Sequence, residues 1–372
     1  MRKLKLGVAG LGRAFALTAP TLARDARIRI AAACDPRPEA VSRAEKEFGA
    51  KGFRSLEELL RSDIDALYIA TPHRFHAEQA IAAAKAGKHV LVEKPMALSL
   101  KECRAMAAAA KKHRVRLIVG PSHSFDAPIR KAKELIPQFG RVRMITAFNF
   151  TDFLYRPRMP GERKHALLNQ SAHHVDIMRL LSGSALRSVR AHAAGQGAYS
   201  ALLRFRDSFA TIVYSGHAHF DSDEFTGWIG ELGQTKDPAQ YGSARKALAG
   251  RDEAAFKTAR NYGGPEFKAS EAQFHEHFGP LIVSCDKADL RPLPDGVMIY
   301  ADGERRLEPL APTPAPRAGV IDELYEAVVN GKAPLHDAAW GVATTEACLA
   351  LLESAKTGKE VPLKHQTSAS RT

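Results

Sequence analysis

The stretch Leu4-Lys5-Leu6-Gly7-Val8-Ala9-Gly10-Leu11-Gly12-Arg13-Ala14-Phe15 decides the fold. Its first half is short and apolar, in the manner of a buried strand, and a helix-forming run to about residue 24 follows the two glycines. Such a turn leaves backbone N–H groups at a helix N-terminus with no side chain in front of them, as a nucleotide pyrophosphate requires. Phe15 stands at the third position of Gly-x-Gly-x-x-Gly, so the fingerprint is incomplete and a wider helix–strand approach is expected there. A second apolar strand over 28–34 ends in Asp35, 23 positions after Gly12 (35 − 12). A carboxylate at that point accepts hydrogen bonds from ribose hydroxyls and repels a 2′-phosphate, which favours NAD over NADP. Arg37 argues the other way, and Asp35 also suits a helix N-cap.

Outward from this turn, strands at 66–70, 89–92 and 116–119 alternate with helices at 40–48, 55–60, 76–86 and 99–113. Short buried strands alternating with helices predict a parallel sheet covered on both faces: an α/β, doubly wound Rossmann domain over 1–122. From 123 the pattern changes. Helices are expected at 125–138 and 165–181. Strands separated by short turns are expected at 142–153, 188–194, 200–205, 210–215, 278–285 and 296–300. This predicts a C-terminal α+β domain over 123–364 with a mainly antiparallel open sheet. The sheet pattern lapses over about 222–273, read as an insertion forming a partly helical lid or a surface excursion. The Pro-rich run 309–316 reads as a linker or strap, 321–330 and 340–357 as helices, and 365–372 as a frayed polar tail.

Composition bounds the function. A chain of 372 residues with 45% hydrophobic and 26% charged residues is too apolar for disorder and long enough for two domains. Lys and Arg exceed Asp and Glu by 54 to 41, but the excess is dispersed, with no nucleic-acid-binding motif beside it. A nucleotide and an anionic small-molecule substrate are the partners it suits. Cys34, Cys103, Cys285 and Cys348 lie far apart without Cys-x-x-Cys spacing, so neither zinc nor a disulfide framework is expected. No apolar run approaches the ~20 residues of a membrane span, and no secretory segment is evident at Met1, so a cytoplasmic protein without membrane partners is expected.

Three further motifs sit where elements end: Thr71-Pro72-His73 with His76, Glu93-Lys94-Pro95 after a Gly87-Lys88-His89 strand entry, and Asn169-Gln170-Ser171-Ala172-His173-His174-Val175-Asp176. With the glycine turn, these resemble the Gfo/Idh/MocA family of oxidoreductases over nearly the whole chain. The resemblance implies a hydride transfer with NAD(P), Lys94 as the catalytic lysine and His173 as the histidine of an Asp-x-x-x-His motif. Asn169 occupies the Asp position, and an amide can orient a hydroxyl but cannot take its proton, so acid–base work falls to Lys94 first and His173 second. Gly10, Gly12, Arg13, Ala14, Asp35, Arg37, Thr71, Pro72, His76, Glu93 and Lys94 are the candidate cofactor residues. Glu93 is also a candidate ion-pair partner for Lys94, and Asp176 for orienting His173. Family members are usually homo-oligomers, so a dimer or tetramer is expected.

Within the family, Ser215-Gly216-His217-Ala218-His219-Phe220-Asp221 and Gly227-Trp228-Ile229-Gly230-Glu231 resemble the branch containing phthalate 4,5-cis-dihydrodiol dehydrogenase. That branch implies oxidation of an aromatic cis-dihydrodiol carboxylate. Arg156, Arg158 and Arg163, just before the His173 helix, are candidates for the carboxylate clamp. His174, His217 and His219 are candidate substrate contacts, and no metal is expected. The alternatives are a sugar or inositol-type polyol dehydrogenase of the same family and a non-catalytic NAD(P)-binding regulator.

Overall fold

A computed structural model describes residues 2–240, 242–268, 272–312 and 315–369. The chain divides into two units, each with its own sheet. In the first, parallel strands β1 (Leu4–Ala9), β2 (Ile28–Cys34), β3 (Lys51–Phe53), β4 (Ala66–Ile69), β5 (His89–Val92) and β6 (Leu117–Val119) lie in the order β3-β2-β1-β4-β5-β6. The helices between them are α1 (Arg13–Arg24), α2 (Pro38–Phe48), α3 (Leu56–Leu60), α4 (His76–Lys85) and α5 (Leu100–Lys112). The order reverses between β1 and β4, so a crevice opens at their carboxyl ends, where such folds bind nucleotides. Every residue of β4 is buried, as in a strand covered on both faces. Ser55 and Ser99 start α3 and α5 by accepting the N–H of Glu58 and Glu102, each at 3.2 Å. β3 was invisible to pattern reading because three residues carry no periodicity.

The first unit is not a single run of chain. It comprises Met1–Pro121, Lys257–Ser270 and Ala315–Thr345. Tyr262, fully buried, packs edge-on against Phe15 at 4.9 Å between ring centroids and stacks on Phe48 at 6.3 Å. The end of the expected insertion thus completes the first unit's core. Further on, the His336 carbonyl accepts the Val119 N–H at 3.0 Å. In the helix Ala338–Thr357, a Cβ on Gly341 would lie 2.5 Å from Val119 and 2.9 Å from Met96. Only glycine fits that approach.

The second unit is Ser122–Phe256, Glu271–Pro314 and Glu346–Thr372. Its strands are β7 (Val142–Phe150), β8 (Leu186–Ala194), β9 (Ala198–Phe205), β10 (Phe209–Ser215), β11 (Leu281–Cys285), β12 (Ala288–Leu293), β13 (Gly296–Ala301), β14 (Glu304–Pro309) and β15 (Val361–Pro362). They form one sheet in the order β14-β13-β12-β11-β7-β10-β9-β8-β15, antiparallel apart from the parallel β7–β10 pair. β9 alternates strictly, with Tyr199, Ala201, Leu203 and Phe205 buried and Ser200, Leu202 and Arg204 exposed. Helices α6 (Ala127–Leu135) and α7 (Ala166–Ser182) pack on the buried side. On the other side Leu202, Phe209, Val213, Ile282 and Leu307 are exposed.

Several expectations need correction. The run 309–316 is not all linker: β14, an exposed edge strand rich in Glu and Arg, ends at Pro309, and residues 315–316 already belong to the first unit; 313 and 314 lie outside the described residues. The 222–273 segment contains α8 (Ser243–Leu248) and α9 (Glu253–Arg260); its residues 241 and 269–271 are outside the described set. The tail is tied down as far as it is described. His365 donates its N–H to Glu346 at 2.8 Å, Thr367 accepts from Arg179 at 3.0 Å, and Ala369 is buried; 370–372 are outside the described residues.

Candidate active site

At the carboxyl edge of the first sheet, Gly10 has φ +88°, and a Cβ there would lie 2.8 Å from the Ala70 backbone. Glycine is therefore required for the turn to pass the end of β4. Gly12 is the N-cap of α1. No side chain caps that helix, and a Cβ on Gly12 would meet nothing within 4 Å. The first-turn N–H groups, beside exposed Arg13 and half-buried Ala14, thus carry no side-chain cap at the positive end of a 12-residue helix. This cradle fits a pyrophosphate. At the third glycine position, the Phe15 ring packs edge-on against Tyr262.

Asp35 is not the cap of α2; that position is Arg37. Its carboxylate accepts the Leu11 N–H at 2.7 Å and the Arg37 N–H and Nε at 3.0 Å each. Arg37 also donates to the Leu11 carbonyl at 2.7 Å and the Tyr262 carbonyl at 3.1 Å. Asp35 therefore fixes the glycine turn, and the Arg37 guanidinium is committed within the protein at all three nitrogens.

Thr71 bonds to Gln79 at 2.7 Å and Pro72 is exposed. His76 is fully buried, with its ring nitrogens 2.9 Å from the Thr71 carbonyl and 3.1 Å from the Pro95 carbonyl. Burial pushes its pKa down. It ties the two loops together. Lys94, half-buried, follows β5 and precedes a cis bond to Pro95. The carboxylate of Glu93 pairs with Arg317 at 3.3 Å and accepts the Tyr68 hydroxyl at 2.7 Å.

In the second unit, His173 and His174 are buried on α7, with half-buried Asn169 one turn earlier. Asn169 accepts from Gln170 at 2.9 Å. Asp176 accepts the hydroxyls of Ser122 and Ser124. It thereby anchors a turn that sequence reading overlooked. His123 in this turn lies 4.6 Å from the His173 ring and stacks on Phe278 at 4.8 Å. Its Nδ1 meets Asp126 at 2.7 Å and its Nε2 meets Glu231 at 3.4 Å. Burial disfavours its charged form, but Asp126 and then Glu231 outweigh burial and raise its pKa to about 10. Glu231 reaches Arg156 at 3.0 Å; burial would raise its pKa, yet Arg156 and His123 hold it well below the usual range. His174 donates to or accepts from Tyr199 at 2.8 Å, and burial, then the His123 charge, push its pKa down to about 3. The clue to His123 was available: Ser122-His123-Ser124-Phe125-Asp126 follows the sixth strand much as Thr71 and Glu93 follow theirs, with a His-x-x-Asp spacing.

The three arginines gather around Phe153 and the 231 and 253 carboxylates. Arg163 holds Glu253 at 2.7 Å. Arg158 lies 4.0 Å above the Phe153 ring and donates to the Phe153 carbonyl at 2.9 Å, and burial foremost lowers its pKa to about 10. His217 and His219 are exposed, and the His217 carbonyl accepts from Arg245.

A family model described as an oxidoreductase family with an NAD-binding Rossmann fold, GFO_IDH_MocA, matches residues 4–121. A dehydrogenase of Comamonas testosteroni, named for 1-carboxy-3-chloro-3,4-dihydroxycyclohexa-1,5-diene, is 40% identical over 95% of both chains. The chain belongs to the Gfo/Idh/MocA oxidoreductase family. A crystal structure from Bordetella bronchiseptica RB50, described as a dehydrogenase, matches this family member with a TM-score of 0.92 at 38% identity, over 97% of this chain and 100% of the other. The fold is shared with the WlbA dehydrogenase from Bordetella pertussis, solved with NADH and UDP-GlcNAcA, at a TM-score of 0.66 and 23% identity over 98% and 99% of the chains. This Gfo/Idh/MocA protein is an NAD(P)-dependent oxidoreductase. None of its described helices is long and apolar enough to cross a membrane.

Proposed function

We propose that the protein oxidises a small cyclic diol carrying a carboxylate, an aromatic cis-dihydrodiol such as phthalate 4,5-cis-dihydrodiol, with NAD as hydride acceptor. The observation that carries this reading is the cationic cluster of His123, Arg156 and Arg158 in the unit that holds His173. Neutral polyols have no use for such a cluster, whereas a carboxylate does. The full-length relative whose name specifies a carboxylated ring diol supports it.

The substrate would lose a hydride from one carbinol carbon and a proton from its hydroxyl. The resulting enone tautomerises to a catechol, so aromatisation drives the step. Bound NAD would supply the two-electron acceptor. Lys94 is assigned the hydroxyl proton, with His173 assisting and Asn169 orienting; the aromatisation lets the site manage without the Asp of the family motif. The open turn at Gly10, Gly12, Arg13 and Ala14 would hold the pyrophosphate, and Asp35 the adenosine ribose. Arg37, already engaged at every nitrogen, is poorly placed to receive a 2′-phosphate, which supports NAD over NADP. A screen of cofactor reduction with aromatic cis-dihydrodiols, with and without carboxylates, against sugars and inositols tests the assignment. Faster turnover of a polyol would overturn it. The exposed apolar face of the second sheet supports a homo-oligomer, dimer or tetramer, which light scattering would detect.

A further inference from the structure

Glu231 is a carboxylate set among several donors, with Asp126 on the far side of His123 and Asp152 also acting on Arg156 and Tyr214. It sits 3.0 Å from Arg156 and 3.4 Å from His123. The second distance exceeds the ~2.7–2.9 Å of a charge-assisted hydrogen bond, whereas Asp126 holds the other side of the same ring at 2.7 Å. The tight partner is buried, but Glu231 and Arg156 keep 24% and 45% of their side chains exposed, so solvent and solutes reach this side. Two further donors interact with Arg156. Among the described residues the buried Nε of Arg158 and the buried hydroxyl of Tyr214 have no hydrogen-bond partner. Both interact electrostatically with Arg156, and Tyr214 also with Glu231. Arg158 forms no ion pair with a carboxylate among the described residues; Glu162 acts on it only at longer range, and burial disfavours its charge.

We infer that His123, Arg156, Arg158 and Tyr214 form a carboxylate-binding subsite, and that Glu231 is its built-in counterion, competing with the ligand's carboxylate and so setting the affinity for anions. The inference rests on the carboxylated-diol reading for its biological meaning, but it is a statement about aromatic carboxylates that can be tested without turnover. Glu231 belongs to the Gly227–Glu231 motif, which would otherwise have no part in the chemistry.

The test is calorimetric titration of the NADH-loaded protein with benzoate and with benzamide, its neutral isostere. Benzoate should bind at least about tenfold more tightly. Glu231→Gln removes a like charge from the subsite and should tighten benzoate about tenfold while leaving benzamide unchanged. Tyr214→Phe and Arg158→Gln should weaken benzoate, which keeps the inference open to refutation if Glu231→Gln fails to fold. Equal binding of the two probes would overturn it, as would a Glu231→Gln variant that binds benzoate no better than wild type. Tightened benzoate binding in a protein that oxidises no dihydrodiol would sustain the subsite and overturn only the proposed substrate.

Discussion

Substituting Asp126 by Asn tests whether His123 is a cation in the folded protein. The two side chains are 7% and 5% exposed and 2.7 Å apart, so the pair has little solvent to fall back on. The His123 pKa rises from 6.5 to about 10, which corresponds to roughly 5 kcal/mol of preference for the charged form in the folded state. Because the folded pKa is raised, this stabilisation is fully present below pH 6.5. It declines as pH rises and is lost as pH passes through about 10. Asp126→Asn removes the stronger partner, leaving Glu231 at 3.4 Å. At pH 6 the variant should therefore be less stable than wild type by about 3–5 kcal/mol, the usual cost of stranding one member of a buried pair. The gap should close towards pH 10. Urea unfolding at half-unit pH steps measures it, and taking the difference between the two proteins cancels other groups that titrate in this range. A gap that stays constant from pH 6.5 to 10 would show that His123 is neutral in the folded protein and would refute the reasoning.

Other outcomes follow from the same geometry. Lys94→Ala should still bind NADH, measured by fluorescence, while kcat falls by about 10²–10⁴, the usual share of a general base; retained turnover would remove Lys94 from the chemistry. Asp35→Ser should narrow the ratio of kcat/KM between NAD and NADP by tenfold or more, about 1.4 kcal/mol, because the charge facing a 2′-phosphate is gone. Arg317→Met strands the carboxylate of Glu93, only 7% exposed, and should cost about 3 kcal/mol in denaturant unfolding; adding Glu93→Gln should recover part of that loss.

The first sheet was legible because each buried strand is a continuous apolar run closed by a turn residue, and because the glycine turn, Asp35, Thr71 and Lys94 all stand at strand ends. In the second unit, β9 and β10 announced themselves through strict alternation. β12 and β14 did not, since a strand carrying Arg and Pro with Asp or Glu reads as a loop when its neighbour is unknown. The site was half legible. Motifs singled out candidate residues, but pairings across sequence left no motif: Glu93 seeks Arg317 more than two hundred positions away, and His123 seeks Glu231. Buried ion pairs between distant segments leave no local pattern. His173 and His174 illustrate the same limit, because a helix buried nearly all round has no polar face to separate ligands from core.

Tyr262 and the 315–345 segment have a consequence for how the protein is born. Phe15 and Phe48 emerge from the ribosome early, yet the ring that covers them and the carbonyl that pairs with Val119 arrive only with residues 262 and 336. From Pro121 to Thr345, at ~5–20 residues per second, the nascent nucleotide-binding half waits about 10–45 s with part of its apolar interior bare. That interval is the window in which a chaperone would matter most to this chain.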